Sequence, residues 1–292
     1  MSPPLLYNSN SNSDSNSLAV FSINNLDEKI VEFLNQDVYK NSLILGLILE
    51  GGFDKLLDKK TLQIYQNPFG EIEGVGYIGK KNFFYTTTYE ALAYFTEIIS
   101  KQPKGSLILC GEEIYDKFSR LIALYNREVG TFCLENLMIS SKNHQDLPKT
   151  NFLRFANEND YQLILKANAE IIHLERGYNP LETQKKDFEE SIANLIKKRK
   201  SMIWRENDDL VCKVDIGVIT PKVVYLEGIF VSPNYRGKGV GFQCIQEVKN
   251  MFMKNGVSLS LLVKNENHSA VNLYKKLDFT NYCKFNFAYL SS

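Results

Sequence analysis

The stretch Val223 to Asn250, V-V-Y-L-E-G-I-F-V-S-P-N-Y-R-G-K-G-V-G-F-Q-C-I-Q-E-V-K-N, limits what this chain can fold into more than any other. Val223 to Val231 is a β-branched and aromatic run, the composition of a buried strand. Pro233 ends it, and Gly237, Gly239 and Gly241 follow at alternate positions. Phe242, Ile245, Val248 and Phe252 then recur at helical spacing. The local order is strand, glycine loop, helix. The first amides of a helix lack intrahelical partners and carry partial positive charge. A glycine loop leading into them lets a phosphate approach the backbone, and Arg236 and Lys238 add two cations. The stretch therefore suits a pyrophosphate, although a turn with glycines also serves as a plain connection. Two nucleotide-binding patterns are excluded. A P-loop needs Lys-Ser/Thr after its last glycine, where this chain has Val240-Gly241-Phe242. The Rossmann fingerprint needs G-x-G-x-x-G and an acidic residue at the end of the next strand, where Lys264 follows Val263.

The segment Arg236-Gly237-Lys238-Gly239-Val240-Gly241 resembles the Q/R-x-x-G-x-G/A signature of the GNAT superfamily of acetyl-CoA-dependent N-acetyltransferases, and Val231 to Tyr235 is similar to its lead-in. Further on, Asn267-His268-Ser269-Ala270-Val271-Asn272-Leu273-Tyr274-Lys275-Lys276-Leu277-Asp278-Phe279 resembles the second signature, N-x-x-A-x-x-L-Y-x-K-x-G-F. Asp278 stands where the family usually has glycine, and Asp tolerates a left-handed backbone better than most residues. The Glu175 to Pro180 turn and Val211 to Gly217 look like a bacterial subgroup with an extra N-terminal domain of unassigned role.

The resemblance implies direct transfer of an acetyl group from acetyl-CoA, a co-substrate, to a primary amine of a small molecule or peptide. No metal is expected, because the three histidines are scattered and no metal-ligand spacing appears. It implies that the backbone of Ile229, Phe230 and Val231 pairs with the pantetheine arm, that an amide there polarises the thioester, and that the amides of Gly237, Lys238, Gly239, Val240 and Gly241 hold the pyrophosphate, with Arg236 beside them. The amine must be neutral to attack. A lysine-like amine of pKa ~10.4 is neutral in only about one part in a thousand at pH 7, an α-amine near ~8 in about a tenth. A base is therefore wanted, and Glu227 is the candidate. Strand alternation puts it on a face with Tyr225, Ile229 and Val231, where apolar neighbours would raise its pKa. An ion-paired outer-face carboxylate is the alternative. Glu175 is a second candidate, or else a solvated helix-end residue. Tyr274 matches the family's acid, the tyrosine beside the CoA sulfur. Asn267 matches the asparagine beside the CoA arm and also fits a helix cap. Lys213 and Asp215 share a strand face and could meet the acceptor or simply pair with each other.

The 292 residues are enough for two domains. Residues 1–17 form an Asn/Ser-rich tract too poor in apolar groups to offset its ordering entropy. Residues 18–141 read as a first domain. Helices are expected over Leu26–Leu34, Val38–Leu49, Tyr89–Ser100 and Ile114–Asn126. Strands are expected over Thr61–Tyr65, Glu73–Thr87, Ser106–Cys110 and Thr131–Ile139. That order fits a degenerate GNAT-like copy that cannot bind CoA, with an unrelated α+β domain as the alternative. Where its phosphate loop would fall it reads Tyr85-Thr86-Thr87-Thr88-Tyr89-Glu90, without glycine and with a carboxylate that would repel a pyrophosphate. Residues 142–150 are a polar linker with Pro148, and residues 151–292 carry the order β-α-α-β-β-β-α-β-α-β. The fold class is α+β: a C-terminal GNAT fold, mixed and mostly antiparallel, preceded by the degenerate domain.

Lys and Arg balance Asp and Glu at 34 each and are spread out, which argues against a nucleic-acid footprint. No apolar run reaches membrane-spanning length, and a soluble cytoplasmic protein, monomer or homodimer, is expected. The five cysteines are far apart without a C-x-x-C pair, and reduced buried thiols are expected. A non-catalytic CoA-binding module whose N-terminal domain docks a partner is the alternative function; it would keep Arg236–Gly241 but not depend on Tyr274 or Glu227.

Overall fold

The computed structural model describes residues 25–79, 81–141, 152–253 and 256–291. The expected tail (1–17) and linker (142–150) lie outside them. The N-terminal half holds α1 (Asn25–Leu34), α2 (Ser42–Gly51), α3 (Phe53–Asp58), β1 (Leu62–Gln66), β2 (Ile72–Tyr77), β3 (Lys81–Thr86), α4 (Tyr89–Ser100), β4 (Leu107–Gly111), α5 (Glu112–Ala123) and β5 (Val129–Ser140). The C-terminal half holds β6 (Arg154–Phe155), α6 (Tyr161–Arg176), α7 (Pro180–Thr183), α8 (Lys185–Lys197), β7 (Ser201–Glu206), β8 (Asp209–Ile219), β9 (Val223–Val231), α9 (Val240–Phe252), β10 (Ser258–Lys264), α10 (His268–Lys276) and β11 (Thr280–Leu290).

Two expectations are corrected here. The run Glu73–Thr87 is a hairpin of two strands, β2 and β3, because the chain turns around Gly79 and Asn82 accepts from the Gly79 amide. The apolar helix near residue 45 begins at Ser42 rather than Val38. The preceding residues form a short 3-10 turn, and Asn41 donates to the Leu34 carbonyl at 2.9 Å.

All eleven strands form one sheet, in the order β1-β2-β3-β4-β11-β5-β10-β9-β8-β7-β6. Among the described residues only β3–β4 and β9–β10 pair in parallel, each across a helical crossover, α4 or α9. The halves exchange their last strands. β5 of the N-terminal half pairs with β10, β11 of the C-terminal half pairs with β4, and β5 and β11 pair with each other at the centre. Each half thus completes the other's sheet. Helix α2, apolar on nearly every side, joins them again by packing on β8. Gly46 permits that approach: a Cβ there would lie 2.3 Å from the Val218 Cβ.

Apolar clusters cover both faces. Phe95, Ile99, Phe118 and Ile122 of α4 and α5 pack on β3 and β4. Cys244, Ile245, Val248 and Phe252 of α9 pack on β8, β9 and β10. Ile164, Phe188 and Ile192 of α6 and α8 pack on the opposite face with Phe230. Among the described residues no helix is long and apolar enough to cross a membrane.

Candidate active site

Strands β9 and β10 run side by side only as far as Leu226 and Leu261. β9 then continues to Val231 along β8 and β10 to Lys264 along β5 without pairing with each other, so the sheet opens between them. Two bulges shape the open end. β8 carries an extra residue between Ile216 and Val218, and β9 carries one between Glu227 and Phe230. Gly228 takes φ +54°, and a Cβ there would meet Asp215 Oδ2 at 2.6 Å. The bulge inverts the alternation of β9. Tyr225, Glu227 and Phe230 face one way, whereas Ile229 and Val231 turn to the core under α9. The expectation that Glu227 shares a face with Ile229 and Val231 is therefore corrected; a glycine inside a strand was the available signal.

A buried ion pair braces this bulge. Lys213 Nζ donates to Asp215 Oδ2 at 2.5 Å and to the Gly228 carbonyl at 2.7 Å, and Ser201 Oγ donates to Asp215 Oδ1 at 2.6 Å. Lys213 is fully buried, so its ammonium holds the strand and does not reach into open space.

A cavity of about 810 Å³ lies at the opening, within the range of small-molecule sites. Glu175, Glu227, Ile229, Asn267 and Tyr274 line it from the C-terminal half, and Leu43, Lys81, Phe83 and Glu135 from the N-terminal half. Glu227 is exposed, but its free surface is cavity wall; the surrounding protein pushes its carboxyl above the usual carboxylate range, with Lys81 pulling back most strongly. Desolvation also raises Glu175 and Glu135. Tyr274 is buried, and burial followed by the charge of Glu175 drives its hydroxyl well above a free tyrosine, so it stays protonated at neutral pH. Asn267 caps α10, accepting from the Ala270 amide at 3.2 Å, and lines the cavity as well. The Gly177–Asn179 turn borders a separate hollow of about 600 Å³ beside α6 and α7.

The glycine loop sits where the sequence places it. Gly237 and Gly239 take φ +73° and +80°, with nothing within 4 Å of where a Cβ would stand. Gly239 caps α9 without a side chain, leaving the first amides of a 13-residue helix open. This cradle fits an anion. Arg236 leans toward α6: its Nε donates to the Val231 carbonyl at 2.9 Å, and its guanidinium lies 3.5 Å from Glu170 and over the Phe230 ring. Lys238 stands over the Tyr235 ring. Asp278 takes φ +61°, the left-handed turn that the family's glycine would take.

The cysteine expectation is corrected in part. Cys212 of β8 and Cys244 of α9 form a disulfide across the strand–helix interface, a contact hidden by 32 residues of separation. Cys110, Cys133 and Cys283 are free thiols, and burial pushes Cys133 and Cys283 up to about 12, away from reactivity. Among the described residues no group of His, Cys, Asp and Glu could hold a metal ion.

The site thus combines a splayed parallel strand pair, a bulge and an open glycine loop at a helix start. Residues 168–279 match the acetyltransferase (GNAT) family, and the chain carries a GNAT acetyltransferase domain there. Thialysine N-epsilon-acetyltransferase of Mus musculus is 46% identical over 59 residues, 20% of this chain and 35% of that protein. A probable N-acetyltransferase, HLS1-like, of Arabidopsis thaliana is 33% identical over 70 residues, 24% of this chain and 16% of that protein. The matches thus span about a third of these relatives or less. A Drosophila protein superposes with a TM-score of 0.61 at 12% identity, covering 90% of this chain and 96% of that one. A GCN5-related N-acetyltransferase from Kribbella flavida superposes at 0.53 and 9% identity, covering 86% of this chain and 93% of that one. These two likenesses concern the fold, and they extend over both halves.

Proposed function

We propose that the protein transfers an acetyl group from acetyl-CoA to a primary amine by direct attack in a ternary complex. The observation that carries this reading is the meeting of Glu227 and Tyr274 on one cavity at the opening between β9 and β10. Acetyl-CoA supplies the activated thioester. The open amides of Gly237 to Gly241 would hold its pyrophosphate, and the edge of β9 that faces away from β8, from Ile229 to Val231, its pantetheine arm, beside Asn267. Glu227, with its raised pKa, accepts a proton from the amine, directly or through a water. Tyr274, kept protonated by burial, donates its hydroxyl proton to the departing sulfur. Glu175 borders the same space and adds negative charge near the tyrosine. Lys213 is left out of substrate contact, because its ammonium is spent inside the bulge.

The test is thiol release from acetyl-CoA against amines and peptide N-termini, in wild type and Tyr274→Phe. Acceptor-dependent release that falls about a hundredfold in the variant is the expected result, the lower end of acid–base contributions. No release with any acceptor, alongside CoA binding that the variant leaves unchanged, would replace this reading with a CoA-binding module.

A further inference from the structure

The cavity is bounded by both halves, and the cations on or near its wall are unequally engaged. Lys213 is held by Asp215 and Gly228. Lys264 donates to the Glu175 carbonyl at 2.7 Å. Lys200, which acts on Glu227 from behind β8, is bound to Glu50 and to the Gly217 carbonyl. Arg176, on the same wall, acts on Glu135 and Glu175. Lys81 differs from these in acting first on Glu227. It stands at the first position of β3, is exposed to the cavity, and makes none of the ion pairs or side-chain hydrogen bonds seen among the described residues. Of the cations around Glu227 it acts on that carboxyl most strongly.

The amine that reacts must come to Glu227. A second positive group on the acceptor close to that nitrogen would face Lys81 and be repelled. A negative group there would find in Lys81 a cation that forms no ion pair or side-chain hydrogen bond seen among the described residues. Building on the acetyl-transfer reading, we infer that the acceptor is an amine with a carboxylate a few bonds from its nitrogen, the α-amino-acid class, and that Lys81 of the N-terminal half holds the carboxylate while Glu227 faces the amine. This gives the degenerate half a part in the reaction: its β3, curled around through the shared sheet, forms the wall that selects the acceptor. Peptide N-termini and simple diamines, which lack that carboxylate, are poorer fits.

The experiment compares matched acceptors that differ only in the carboxylate: L-alanine with L-alaninamide, and L-lysine with cadaverine. The readout is the ratio of kcat/KM within each pair. Wild type should favour the acid by about tenfold or more, the scale of one partly desolvated ion pair. Lys81→Met should bring the ratio near one by raising KM for the acid, and Lys81→Arg should restore the preference. Equal or better use of the amide and cadaverine by wild type, or a ratio untouched by Lys81→Met, would overturn the assignment. Calorimetric titration of the same pairs into the CoA-loaded protein separates the two readings. Lys81-dependent binding of the acid without any transfer keeps the acceptor assignment and removes the transferase. Transfer, or binding, with no preference for the acid keeps the transferase and removes the assignment.

Discussion

The α4 and α9 helices both follow a strand that pairs in parallel with the next, yet their first turns are opposites. At α4, Thr88 caps the helix, accepting from the Ala91 amide at 3.3 Å while its hydroxyl donates to Glu73 at 2.8 Å, and Glu90 adds a carboxylate in the first turn. At α9, Gly239 gives no cap and the amides stay open. The strands differ too. β3 pairs with β2 in unbroken register, whereas β9 is bulged against β8. The same strand–helix plan thus leaves its first amides open to an anion or closes them, according to what the residue before the helix leaves free. The bulge then decides whether a carboxylate on the strand points at the opening.

The largest effect that would break this contrast comes from the brace under the bulge. Asp215→Ala leaves Lys213 buried without a counter-charge, and denaturant unfolding should record a loss of about 3–5 kcal/mol. A loss under about 1 kcal/mol would mean that the ion pair does not hold β9 in its bulged path. Next comes the carboxylate that the bulge aims. Glu227→Gln should lower transfer by about a hundredfold. In wild type the rate should climb with pH as Glu227 ionises, through a pKa above the usual carboxylate range, and the variant should lose that limb. The same variant should be more stable at neutral pH. A carboxyl whose folded pKa is raised binds its proton more tightly folded than unfolded, so its ionisation lowers stability as pH rises from the ordinary carboxylate value to the raised one. A thermal midpoint that drops in Glu227→Gln would contradict the raised pKa.

The smallest effect falls on the other helix. Thr88→Ala removes the α4 cap and should cost about 1 kcal/mol of stability with no change in CoA affinity. A CoA affinity that moves with Thr88 would place a second anion site in the N-terminal half and erase the contrast.

Much of this was legible locally. Val223–Val231 reads as a strand and is one, the helix begins at the glycine loop, and Asn267 caps the helix that follows it. These features depend on neighbours a few residues away. The sequence is silent about features set by distant partners. The exchange of β5 and β11 depends on pairing across the two halves, and nothing in either strand's own pattern names its neighbour. Cys212 meets Cys244 only once α9 lies on β8. Lys81 and Glu135 look like ordinary strand residues until the sheet curls and sets them on the cavity wall with Glu227. Gly217 and Gly228 carried a local hint of the bulges, since glycine inside a strand often marks one.

The central claim is that the open start of α9 is the chain's one CoA anchor, and a titration of CoA into wild type and Gly239→Asp tests it most directly. Asp tolerates the left-handed backbone at this position and sets a carboxylate beside the open amides, giving α9 the negative first turn that α4 already has. Wild type should bind one CoA per chain. The variant should bind at least about tenfold more weakly while losing no more than about 1–2 kcal/mol of stability to the left-handed backbone. Two CoA per chain in wild type, or undiminished binding by the variant, would contradict the account.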